Sequence, residues 1–223
     1  MSGPRDPIPA VLPRLMLVTD RRRARGRDLV EIVAAAARGG VGMVQVRERD
    51  LPARELRVLL DRIREKVPAS MVLTVNSRAD VARAAGVGLH LPASHAAVER
   101  AGVALLGRSV HDLPETQRGI QESADYLIAG PIYPTASKPG HPGSGPDLVR
   151  RVARLASPIA VFAIGGIEVS RVPEVVHAGA HGIAVCGALM TANDPQRVAE
   201  GLCLALEVSC GKGTDPVPHR VEV

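Results

Sequence analysis

The chain has 223 residues, with 28 Lys and Arg against 23 Asp and Glu, a formal net charge of +5. Hydrophobic residues make up 46% and charged residues 23%, which excludes an intrinsically disordered chain. No stretch approaches the ~20 apolar residues that a membrane-spanning helix needs; the longest apolar runs, such as Pro158 to Ile167, have the length of a strand.

The basic excess is almost all arginine, since the only lysines are Lys66, Lys138 and Lys212. Apart from Arg21 to Arg23 the arginines are scattered, and the aromatics are only Tyr126, Tyr133 and Phe162. A nucleic-acid binder would show a basic stripe and stacking rings. Three cysteines, Cys186, Cys203 and Cys210, contain no CxxC pair. They suggest neither a disulfide framework nor a zinc site, and fit a reducing cytoplasm. The first fourteen residues carry four prolines and no compact apolar core, unlike a secretory signal. The expectation is a cytoplasmic domain over residues 14–208 with flexible tails at 1–13 and 209–223, and no membrane or nucleic-acid partner.

In chain order, apolar strand and amphipathic helix alternate. Strands are expected at 16–19, 41–46, 71–75, 88–91, 104–107, 126–129, 159–164 and 183–186. Helices are expected at 28–38, after Leu51-Pro52, at 78–85, from near Pro114, at 146–156, at 170–178 and at 195–208. A short extra helix is expected at Gly187. Continuous apolar strands suit a parallel sheet buried on both faces. Eight such units predict a single (β/α)8 TIM barrel with a parallel eight-stranded core.

In that fold the residues just after each strand converge on one face. Gln45 and Arg47 alternate after the second strand and share one side of it. Gly165 and Gly166 end the seventh strand, and Gly187 follows the eighth. Paired glycines let backbone N–H groups approach an anion, so the three predict a phosphate cradle. Residues 130–145 form a long loop in which Thr135, Ser137 and Lys138 offer two hydroxyls and a cation. His111 lies at the end of the fifth strand, where an imidazole suits acid–base work near neutral pH. Cys186 reads as a small buried residue rather than a nucleophile.

Several segments in order, LVTDR at 17–21, VQVRERD at 44–50, VNSR at 75–78, HLP at 90–92, GRSVH at 107–111, GPIYPTASKPG at 130–140, AIGGI at 163–167 and GIAVCGAL at 182–189, resemble the thiamine phosphate synthase superfamily. The resemblance covers about residues 15–205 and implies the same barrel. It also implies one of two activities: a synthase that joins a pyrimidine diphosphate to a thiazole phosphate and releases pyrophosphate, or a tautomerase that aromatises a thiazole carboxylate phosphate. Either way it implies a small phosphorylated thiazole as ligand, held at Gly165, Gly166 and Gly187. In the synthase, residues matching Gln45, Arg47, Asn76, Ser109, Thr135, Ser137 and Lys138 hold the pyrimidine diphosphate. The resemblance leaves assembly into a homo-oligomer open.

Synthases carry two aspartates that bind Mg²⁺, where this chain has Ser77 and His95. The pattern Asn-small-Arg, Leu-Pro-x-Ser and Gly-Arg-Ser-Val-His resembles the tautomerase branch. The expectation is therefore a metal-independent thiazole tautomerase, an isomerase without a cofactor, with His111 and Ser109 as catalytic residues. The alternatives are a thiamine phosphate synthase, a transferase using Mg²⁺, and a non-catalytic ligand-binding barrel.

Overall fold

A computed structural model describes residues 11–210, with nothing said of the Cys210 side chain. Of the tails expected at 1–13 and 209–223, residues 1–10 and 211–223 lie outside these residues. At the near ends, Leu12 is already packed inside the barrel and the last helix runs on to Cys210.

The elements are β1 (Leu15–Val18), α1 (Leu29–Arg38), β2 (Met43–Val46), α2 (Ala53–Arg64), β3 (Val72–Asn76), α3 (Ala79–Ala85), β4 (Gly88–Leu91), β5 (Leu106–Val110) and α4 (Leu113–Gln121), then β6 (Tyr126–Ala129), α5 (Pro146–Ala156), β7 (Ala160–Ile164), α6 (Val172–His177), β8 (Gly182–Val185), α7 (Gly187–Met190) and α8 (Pro195–Cys210). The eight strands pair in sequence order, all parallel, and β8 returns to β1 through Leu15 opposite Ile183, closing the barrel. Among the described residues no helix is long and apolar enough to cross a membrane.

The strands are apolar throughout because both of their faces are covered. Successive side chains point to opposite faces. Met16, Val18, Met43, Val72, Tyr126, Ile128, Phe162 and Ala184 fill the barrel interior. The alternate residues, among them Leu17, Val44, Leu73, Leu127 and Ile183, pack against the surrounding helices. Helix α2 buries Leu56, Leu59, Leu60 and Ile63, one stripe at helical spacing. Each such side chain contributes about 1.5–3 kcal/mol by burial. Asp28 opens α1 by accepting from the Val30 N–H, and Asp112 opens α4 by accepting from the Glu115 N–H.

One strand is displaced from its expected place. The fifth strand lies at 106–110 rather than 104–107, because it continues through Arg108. That side chain is 2% exposed; its Nη2 donates to the His95 carbonyl and to Glu122. A charged residue interrupts the apolar pattern but not the strand. The link from β4 to β5 contains no helix, and none is expected there. Residues 92–105 run irregularly and are tied to the barrel wall by Arg108 and by Arg118, which donates to the Ala93 carbonyl.

A surface cluster braces the turns after β1 and β2. Arg21 donates to both oxygens of Asp50, at 2.7 and 2.9 Å, and Arg22 adds a bond of 3.0 Å. These guanidiniums hold the Asp50 carboxyl down at about 2. Because the folded value lies below the unfolded 3.8, the stabilisation is complete above 3.8 and is lost as the pH falls toward 2. Asp50 is exposed, so the effect is small. Denaturant midpoints taken between pH 5 and pH 2.5 should therefore fall less in Asp50→Asn than in the wild type; equal falls would show the cluster to be inert.

Candidate active site

The carboxyl ends of the strands bring most of the expected residues to one mouth. On β2 and β3 the inward positions are polar at the top: Gln45 Nε2 donates to Asn76 Oδ1 at 3.1 Å, and Asn76 Nδ2 donates to Ser77 Oγ at 2.8 Å. Ser77 holds a left-handed backbone, φ 62°, which bends the chain away from the strand. Arg47 follows Gln45 on the same side. Its charge is felt by His90, Lys138 and Cys186 alike, which places it centrally in the mouth. Burial pulls the Arg47 guanidinium below its usual range, and Arg49 adds to the effect.

Below the rim, His90 and Ser109 meet across β4 and β5, with His90 Nε2 2.8 Å from Ser109 Oγ. The other ring nitrogen faces the Tyr126 hydroxyl at 3.1 Å. Above them lies His111, just past β5. Its Nδ1–H donates to Glu115 at 2.9 Å, and its backbone N–H reaches the same oxygen at 2.7 Å. Its Nε2 accepts from the Lys138 ammonium at 2.6 Å. The 135–138 turn presents that lysine: the Ser137 N–H donates to Thr135 Oγ1 and the Lys138 N–H to the Thr135 carbonyl. Burial draws the Lys138 ammonium below its usual range.

Across the mouth, the glycines sit where no side chain fits. Gly165 and Gly166 have φ of 103° and 62°. A Cβ on Gly165 would stand 2.7 Å from Pro131 Cβ, and one on Gly166 would stand 2.5 Å from the Pro134 carbonyl oxygen. The start of the 130–145 loop thus lies directly against them. It is pinned by the Ile132 N–H to the Ile164 carbonyl and the Tyr133 N–H to the Gly165 carbonyl. Arg171 donates to the Gly166 carbonyl at 2.6 Å while stacking over the Tyr133 ring, 4.4 Å to the centroid. Gly187 opens α7, and Arg23 Nη1 lies 3.5 Å from the point where its Cβ would be. Cys186 beside it stays a thiol, since burial pushes it up to about 11.

The sequence reading does not single out Glu115, Arg23 or the Tyr133–Arg171 stack. Glu115 carries a signal, four residues after His111 in the first turn of α4. The other two unite positions distant in the chain. A separate shallow cleft on the flank, between α1 and α2, is lined by Arg21, Arg27 and Arg62; these are bonded to Asp50, Met190 and Asp28.

The donor set does not fit a Mg²⁺ ion, which prefers hard oxygen ligands, carboxylates above all. Ser77 is neutral and already bonded to Asn76. His95 turns Nδ1 toward the Ala96 carbonyl. The acidic groups around the rim are engaged: Glu48 by Thr19 and Arg21, Glu115 by His111. Among the described residues no group of three or more His, Cys, Asp or Glu could hold a metal.

A closed parallel barrel with a cationic, glycine-lined mouth places the chain among the (β/α)8 barrels. The family model described as thiamine monophosphate synthase matches residues 15–189. A thiamine-phosphate synthase of Mycolicibacterium gilvum is 40% identical over 87% of this chain and 88% of its own length. One from Mycobacterium tuberculosis is 41% identical over 86% of this chain and 94% of its own. Among solved structures, a thiamine phosphate pyrophosphorylase from Pyrococcus furiosus is 31% identical with a TM-score of 0.78, covering 88% of this chain and 96% of that one. The chain belongs to the thiamine monophosphate synthase family.

These relatives correct the expected activity. They carry the synthase name, so the thiazole tautomerase reading falls, and the isomerase class with it. In the structure both ring nitrogens of His111 are hydrogen-bonded, to Glu115 and to Lys138.

Proposed function

We propose that the chain is a thiamine-phosphate synthase, coupling a hydroxymethylpyrimidine diphosphate to a thiazole phosphate. The bond from the pyrimidine methylene carbon to the diphosphate oxygen breaks, and its electron pair leaves with pyrophosphate. The thiazole ring nitrogen supplies the pair for the new bond to that carbon, so no proton need be removed. The observation that carries this reading is the Glu115–His111–Lys138 chain opposite Arg47. This hydrogen-bonded chain holds Lys138, which with Arg47 sets two cations at the mouth, where a departing diphosphate gathers negative charge.

In this reading Lys138 and Arg47 meet the charge of the leaving group, and Ser109, Thr135 and Ser137 donate hydroxyl hydrogen bonds to it. His111 serves the reaction by fixing the ammonium, and Glu115 by fixing the imidazole. Gln45 and Asn76, bonded to each other, present amide groups to the pyrimidine. Gly165, Gly166 and Gly187 cradle the thiazole phosphate on backbone N–H groups, and Arg23 adds a cation there. Since the mouth offers a dication no carboxylate pair, this chain's own cations do the electrostatic work. Incubation with both phosphorylated substrates should give thiamine phosphate and pyrophosphate in equal amounts. A yield no greater than in a protein-free control would contradict the proposal.

A further inference from the structure

His90 is buried near the mouth, 1% exposed, and the chemistry above gives it no task. It sits in a continuous line of polar atoms through the barrel interior. The Tyr126 hydroxyl faces His90 Nδ1 at 3.1 Å, and His90 Nε2 faces Ser109 Oγ at 2.8 Å. The placement is built in. A Cβ on Gly107 would stand 2.0 Å from Tyr126 Cζ, so glycine there makes room for the ring. Phe162 holds the far side of that ring edge-on, at 5.8 Å between centroids.

Burial drives His90 down to about 3, aided by the charges of Arg108 and Arg47. The imidazole is therefore neutral at every working pH, with one nitrogen donating and one accepting. Two directions of the line are conceivable. In one, Ser109 donates inward to Nε2 and Nδ1–H donates to Tyr126. The buried Tyr126 proton is then left without an acceptor, since His90 is the hydrogen-bond partner of that hydroxyl. In the other, Tyr126 donates to Nδ1 and Nε2–H to Ser109 Oγ. Both interior protons then have an acceptor, and the Ser109 proton is free to turn outward into the mouth.

We propose that His90 is a positioning residue: the line Tyr126–His90 fixes Ser109 as a hydrogen-bond donor toward an anionic group in the barrel mouth. The proposal deepens the synthase reading and rests on it for the identity of that anion, the diphosphate. A serine whose oxygen already accepts from Nε2–H presents its proton to a phosphate oxygen. A serine turned the other way would present a lone pair and repel it.

Two measurements test this, and neither needs turnover. Nitrogen-15 spectra of the ring, assigned with His90→Gln, should show the Nε2–H tautomer unchanged from pH 5 to pH 8. Calorimetric titration with inorganic pyrophosphate should show Tyr126→Phe and Ser109→Ala each weakening binding by about threefold to tenfold. The double variant should be no weaker than Ser109→Ala alone. An Nδ1–H tautomer in the wild type, or losses that simply add, would overturn the proposal. If Tyr126→Phe does not fold, the wild-type spectrum decides alone. Loss of the synthase reading would show instead as absent product in the coupling assay, with tautomer and pyrophosphate binding intact.

Discussion

Lys138→Ala should lower the rate of thiamine phosphate formation by about 10²–10³-fold, the usual cost of deleting one donor aimed at developing charge. The loss should fall on kcat more than on KM. The ammonium helps to bind the substrate diphosphate, but it gains most when the bond to carbon breaks and a full charge gathers on the leaving oxygens. Lys138 is exposed on a turn, and its side chain bonds only His111 among the contacts around it. The melting temperature should therefore stay within a degree or two of the wild type, by the weak effects of surface changes. Steady-state kinetics and a thermal melt settle the matter. An unchanged kcat would remove the lysine from the chemistry and leave the loop a mere cover.

Gly166→Ala should raise KM for the thiazole phosphate at least tenfold. Its φ of 62° is left-handed, which costs an alanine roughly 1–2 kcal/mol. Its Cβ would also overlap the Pro134 carbonyl oxygen at 2.5 Å and Tyr133 Cβ at 2.9 Å. The loop start must then lift from the β7 end, straining the Tyr133 N–H bond to the Gly165 carbonyl and unseating the backbone groups that face the phosphate. Gly26→Ala is the control. Its φ is 80° and no atom lies within 4 Å of the new Cβ, so it shares the backbone strain without the overlap. It should lose comparable stability and keep a normal KM. Equal kinetic damage in both would mean that strain alone, and not the seat of the loop, controls the site.

Much of the barrel is legible in the residue order. The run at 126–129 and the helix at 146–156 match the observed β6 and α5 to the residue. The short helix at Gly187 also appears where its glycine and the strand before it imply. Each of these is bounded by sharp local chemistry and needs no distant partner. Arg108 shows where local pattern misleads. A buried guanidinium inside a strand is stable only because His95 and Glu122 meet it, and nothing near it in the chain reveals that. The irregular path of residues 92–105 has the same origin, since they are held by arginines from elsewhere.

The site divides along the same line. Gln45 is legible as an inward residue at a strand end, because strand periodicity dictates that side, whereas Asn76 and Ser109 enter through the family resemblance. The lysine over His111 is not, being 27 positions away in sequence and brought there by the fold of a loop. In the proposed synthase that contact sets the cation over the mouth. Without it, the two absent aspartates suggest a change of reaction. With it, the histidine becomes a bracket for a cation, and the missing carboxylates suggest only a change in how the charge is met.

The initial rate of thiamine phosphate formation in excess chelator tests that idea most directly. With Arg47 and Lys138 carrying the charge of the diphosphate, product should still form when no free divalent cation remains. A rate at the protein-free background that recovers only when Mg²⁺ is restored would contradict it.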